Sequence, residues 1–96
     1  MFVKIHTHKE QVVVAICDED IIGKTFEEED LAFHVSVFFY KGDIKTSEEV
    51  LKLFGVYHNF NVVGKQITDL ALKAGVVDKK NRFYIQGVPH AQFIIL

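Results

Sequence analysis

The hydrophobic pattern along this chain switches repeatedly between a period of two and a period of 3.6. Val3, Ile5 and Thr7 alternate with Lys4, His6 and His8, as in a strand buried on one face only. Lys9-Glu10 makes a tight connection to residues 11–17, which are apolar on both faces and predict an inner strand hairpinned to the first. Asp18-Glu19-Asp20 ends that strand, and residues 21–26 read as a turn with room for a short strand. Alternation resumes after the acidic run Glu27 to Asp30: Leu31, Phe33, Val35 and Val37 face one way, Ala32, His34 and Ser36 the other. Phe38-Phe39-Tyr40 break this pattern before a turn at Lys41-Gly42-Asp43.

Two helices follow. Thr46 and Glu49 match a capping box, in which each side chain satisfies the other residue's free backbone N–H. Val50, Leu53, Phe54 and Tyr57 then share one helical face, and Gly55 blurs the end. For the second helix, Asn61 is the candidate N-cap. Val63, Ile67, Leu70, Ala71 and Ala74 form its stripe, and Asp69 can pair with Lys73. Gly75 supplies a left-handed C′ residue, with Val76 as C″. Gly64 costs about 1 kcal/mol inside a helix, so it signals a close backbone approach or a later helix start. After a polar loop at residues 78–82, Phe83 and Ile85 alternate with Tyr84 and Gln86 as a strand. Gly87-Val88-Pro89 interrupts it, and residues 91–96 predict an inner strand. The expected class is α+β: a mainly antiparallel sheet of about five strands, with two helices inserted before the last two strands.

A length of 96 residues fits one domain, residues 1–96. The formal net charge of −2 lacks the general basic excess of a stand-alone nucleic-acid binder, so RNA binding requires a local basic patch or a partner. One cysteine excludes an internal disulfide and fits a reducing compartment. The first residues carry charge and histidine rather than an apolar leader, and no apolar run approaches the ~20 residues a membrane helix needs. The expectation is a cytoplasmic protein with no membrane partner, monomeric or homodimeric.

Candidate chemistry is sparse. His6 and His8 share a strand face and could chelate a metal, with Cys17 as third ligand; an exposed strand face shared with Lys4 is the plainer explanation. Asp18, Asp20, Gly23 and Glu29 fit positions 1, 3, 6 and 12 of a calcium loop, but Ile22 stands where an oxygen ligand belongs, so a turn with solvated carboxylates is preferred. The acidic run is read as a solvated lead into a strand. Gly64-Lys65 sits near a helix start, where free N–H groups favour phosphate, although the other phosphate-loop glycines are missing. Phe38-Phe39-Tyr40 with Lys41 and Lys45 could stack on bases, against core packing for at least two of the rings. The stretch Gly87 to Gln92 is the most suggestive: a stiff bend carrying His90 and Gln92 on one strand face. His90 is the only candidate catalytic residue, as general acid or base, and no carboxylate or activated nucleophile accompanies it in sequence. No cofactor is indicated.

Three motifs taken together, Cys17 to Glu28 (CDEDIIGKTFEE), Asn61 to Lys65 (NVVGK) and Gly87 to Gln92 (GVPHAQ), resemble an uncharacterised archaeal family catalogued as domain of unknown function 424, over almost the entire chain. The resemblance implies an archaeal cytoplasmic protein with no established enzymatic activity and a genomic association with translation and ribosome-biogenesis genes. It makes Gly23, Lys24, Gly64, Lys65, Pro89, His90 and Gln92 candidates for a shared binding surface. The expected function is a non-catalytic module that meets RNA or a translation-associated protein. A small enzyme using His90 and a structural adaptor that dimerises through a strand edge are the alternatives.

Overall fold

In a computed structural model that describes residues 1–96, the hairpins anticipated at both ends of the chain are present. β1 (Phe2–His8) pairs antiparallel with β2 (Gln11–Cys17) across Lys9, which adopts a φ of +58°. At the other end β7 (Arg82–Ile85) pairs with β8 (Val88–Ile94) across Gln86-Gly87, both at positive φ. The expected bend is therefore one step earlier, and Val88, Pro89 and His90 lie inside the strand. Between the hairpins come β3 (Thr25–Glu28), β4 (Leu31–His34), α1 (Val37–Tyr40), β5 (Asp43–Ile44), α2 (Ser47–Leu53), β6 (Asn59–Val63) and α3 (Lys65–Lys73).

The class is α+β, with a six-stranded mixed sheet in the order β5-β1-β2-β6-β8-β7 and a separate β3-β4 hairpin. The sheet has one strand more than the five expected and is antiparallel as anticipated except for one parallel pair, and two segments take other conformations than expected. Asn59–Val63 is a strand, not a helix start, and it pairs in parallel with β2, Cys17 opposite Val63. Phe38-Phe39-Tyr40 lie in a one-turn helix, because the Ser36 hydroxyl accepts from the Phe39 N–H at 3.0 Å and turns the chain out of strand geometry. The local helix signals hold. Thr46 and Glu49 close the capping box at 3.2 and 3.0 Å. Past α3, Gly75 at φ +76° lets its N–H reach the Leu72 carbonyl while Val76 N–H reaches Ala71, the bond pair of a Schellman ending. Asp69 pairs with Lys65 and Arg82, each at 2.9 Å, instead of with Lys73.

Strand connectivity decides which face is covered. β5, β6 and β7 are mutually parallel, and α2 and α3 are the crossovers between them, stepping in the same direction across the sheet. Crossovers of one hand that step in one direction lie on the same face. Both helices accordingly pack on one side, where Val14, Ile16, Val50, Phe60, Val62, Ile67 and Ala71 are fully buried. The opposite face is left to residues 18–40. A 3-10 turn at Glu19–Ile21, the β3-β4 hairpin and α1 form a smaller core there with Phe2, Ala15, Cys17, Val35, Tyr40 and Val63. That segment covers only the half of the face nearest the C-terminal ends of β2 and β6. No helix is long and apolar enough to cross a membrane.

Candidate functional site

The uncovered half of this second face is the candidate site. Strand alternation places His6 and His8 of β1, Gln11 and Val13 of β2, Asn59 and Asn61 of β6, and Gln92 and Ile94 of β8 on it. Register aligns them in rows: His6 opposite Val13, and Asn61 opposite Gln92. Ile94 is 66% exposed; His8, Gln11, Asn59 and Gln92 are also exposed. Amide and apolar side chains thus alternate over β2, β6 and β8 beside the histidines of β1, with His6, Val13 and Asn61 half-buried at the edge of the covered half.

Aromatic rings border this surface. His6 stacks on Phe39 with centroids 4.5 Å apart and an interplanar angle of 11°. Its Nε2–H donates to the Phe39 carbonyl at 2.7 Å, which leaves Nδ1 as the ring's one free acceptor. Phe38 is 79% exposed, with the Lys4 ammonium 4.5 Å from its ring centre. Lys4 also donates to the Phe38 carbonyl. Tyr40 is buried, and its hydroxyl donates to Asn61 Oδ1 at 2.6 Å; burial pushes its pKa up, so it remains a donor.

Charge is segregated around the site. Asp18-Glu19-Asp20 and Glu27-Glu28-Glu29-Asp30 supply seven of the 13 acidic side chains, all in the segment that covers the other half of the face. Asp43 pairs with Val3 and so lies on the helix side of the sheet. Lys4 and Lys9 border the open half, with Glu10 as the adjacent acid, and Lys41 is exposed at the end of α1.

The glycine-lysine start of α3 has a different occupant from the one expected. Asp18 is buried, and its carboxylate accepts from the Gln66 and Ile67 N–H groups at 2.7 and 3.0 Å. The positive end of the helix is thus neutralised by the chain's own carboxylate rather than left open to phosphate. Burial pushes the Asp18 carboxyl above its ordinary value, partly opposed by those two N–H donors. This also corrects the reading of residue 18 as a solvated turn carboxylate. Gly64, at φ +119°, is the close approach anticipated from the sequence: an added Cβ would lie 2.5 Å from Asp18 Oδ2 and 2.8 Å from Asp18 Cβ. Lys65 is tied to Asp69 on the outer side of α3.

The remaining candidates divide between two places. Gly23 (φ +78°) donates to the Val35 carbonyl, and Lys24 N–H to Ile21, so both hold the root of the β3-β4 hairpin. Pro89 accepts from Gly64 N–H at 2.9 Å, and Val63 pairs with His90, which sets the start of α3 beside the last strand. His90 and Gln92 share a face, as expected, but His90 lies under the hairpin and only Gln92 reaches the open half. The His90 ring contacts Phe33 at 4.4 Å and Phe83 at 4.7 Å, and burial alone lowers its pKa. Its Nε2 lies 3.4 Å from Asn61 Oδ1. No carboxylate orients it. Asn61, expected as a helix N-cap, lies instead in β6, and neither it nor Asn59 was singled out as a surface residue; their alternation with Phe60 and Val62 was the available signal.

The whole fold recurs in a solved structure. The crystal structure of an uncharacterized conserved protein from Methanopyrus kandleri matches with a TM-score of 0.80 and 26% identity, over 99% of this chain and 90% of that one. Comparison with the curated proteins finds no match. The family model described as "Protein of unknown function (DUF424)" matches residues 5–96. This chain belongs to the DUF424 family.

Proposed function

We propose that this protein is a non-catalytic binding module that takes single-stranded RNA of the translation apparatus on the open half of its sheet. The observation that carries the reading is the exposed sheet surface of Gln11, Asn59 and Gln92, with the half-buried Asn61 beside them and an exposed aromatic ring and lysines at its border. Unstacked bases present flat π-faces and polar edges. Proteins meet them with aromatic side chains and with amides that can both donate and accept. Phe38, held under the Lys4 ammonium, offers the stacking face. Lys4, Lys9 and Lys41 face the phosphates, and the displacement of the acidic residues to the covered half removes their repulsion. Acid-base catalysis is disfavoured because His90 has neither a carboxylate partner nor an open path to solvent.

Binding of a labelled short oligouridylate, followed by fluorescence anisotropy, tests the reading. Stacking on one ring is worth about 1–3 kcal/mol, so Phe38→Ala is expected to weaken binding about tenfold while leaving the fold intact. Three phosphate contacts correspond to a slope of roughly −2 in log K against log salt, and Lys4→Ala lowers its magnitude by about 0.7. Binding indifferent to Phe38, Lys4 and Gln92, or no binding at low salt, contradicts the proposal.

A further inference from the structure

We propose that the β3-β4 hairpin is a displaceable cover over His90, and that the place filled by its Phe33 ring is a stacking position for one nucleobase. The inference rests on the RNA-binding reading and extends the open half-face beneath the hairpin.

The hairpin is a two-stranded sheet of its own, sharing no ladder with the main sheet. Its root is closed by Gly23 N–H to Val35 and Val35 N–H to Lys24, both at 2.8 Å. Its body is held by Phe26 and Phe33 against the smaller core and by a reciprocal pair of exposed bonds to the β7–β8 turn: Glu27 N–H to Gln86 Oε1 at 2.7 Å, and Gln86 N–H to Glu28 Oε2 at 2.8 Å. Between root and body, Phe33 lies on the His90 imidazole with centroids 4.4 Å apart and an interplanar angle of 29°. A purine or pyrimidine stacked on that imidazole would replace one planar π-contact with another.

The covered site is also incompletely satisfied. His90 is 8% exposed, and its Nδ1 has no hydrogen-bond partner. With the ring proton on Nε2, directed at Asn61 Oδ1, Nδ1 is a bare buried acceptor. Lifting the hairpin gives that lone pair access to water or to a ligand hydroxyl, which offsets part of the lost Phe33 contact. Asn61 links the position to the open half, since its carboxamide meets both His90 and the Tyr40 hydroxyl.

Protonation acts in the same direction. The groups facing His90 are uncharged: Phe83 from β7, Asn61 and Val63 from β6, Phe33 from the hairpin, and the Tyr40 hydroxyl reached through Asn61. Glu27, Glu28 and His34 of the hairpin are exposed, and His34 Nδ1 bonds to Thr25. Burial lowers the His90 pKa from 6.5, so the open state binds the proton more tightly than the closed one. Closure is fully favoured above pH 6.5 and weakens as pH falls through that value.

The test is an NMR titration of the full chain with adenosine 5′-monophosphate at neutral pH, reading the His90 ring resonances. Phe33→Ala removes the covering ring, and Glu28→Ala combined with Gln86→Gly loosens the hairpin without touching the stack. Both variants are expected to bind at least about fivefold more tightly than the unaltered chain, with His90 shifted. Equal or weaker binding in both, with His90 unmoved, overturns the cover even where oligouridylate still binds the open half. Conversely, His90 shifts in Phe33→Ala without any oligonucleotide binding uphold the cover and remove the RNA reading.

Discussion

Gly64→Ala is expected to cost the fold about 2–6 kcal/mol, combining strain at a positive φ (about 1–3) with overpacking (about 1–3). Total stability for a chain of this length is roughly 5–14 kcal/mol. The urea midpoint should therefore fall to about 85% of its original value or lower, down to a chain that fails to fold. The cause is specific. The new Cβ meets the Asp18 carboxylate, which cannot retreat because it holds the Gln66 and Ile67 N–H groups. Asp18→Ala removes the obstacle but strands those donors, at about 1–3 kcal/mol. The double variant should consequently lose less than the sum of the two single losses. Additive losses would mean that Gly64 serves only its own backbone conformation.

Phe60→Ala is the second large effect. Phe60 is fully buried, stacks on Phe93 with centroids 5.2 Å apart, and meets Phe54 edge-on at 5.1 Å. Its truncation should cost about 3–5 kcal/mol, read from the same urea unfolding. Phe38→Ala is the informative contrast. An exposed ring away from special features changes stability by about 0.5 kcal/mol or less. Phe38 is thus available to a partner in a way that Phe60 is not. A large stability loss at Phe38 would show that its exposed ring serves the fold.

What the sequence revealed depended on how far apart the deciding residues lie. The capping box at Thr46 and the glycine ending at Gly75 are complete within a few residues, and both are found where the pattern places them. The terminal hairpins are similarly local. Strand β6 was hidden because Val63 fits the helical stripe of Ile67 and Ala71, while its partner β2 lies more than 40 residues earlier and pairs in parallel. The same separation conceals the cap of α3: nothing near Gly64 indicates that Asp18 fills the helix start. Gly64 itself was legible as a close approach, without the identity of what approaches. For the candidate site, Gln92 and the Lys4-His6-His8 face were visible in the alternation. The openness of the surface was not, because it follows from two crossovers choosing the same side.

The nominated working face is tested most directly by mapping amide and side-chain NMR shifts during titration with a short single-stranded RNA at low salt. The account predicts shifts concentrated at the carboxamides of Asn59, Asn61 and Gln92 and at the rings of His6 and Phe38, with α2 and α3 unmoved. Shifts confined to Lys65, Gln66 and the Asp18–Asp20 edge, or none at all, would contradict it.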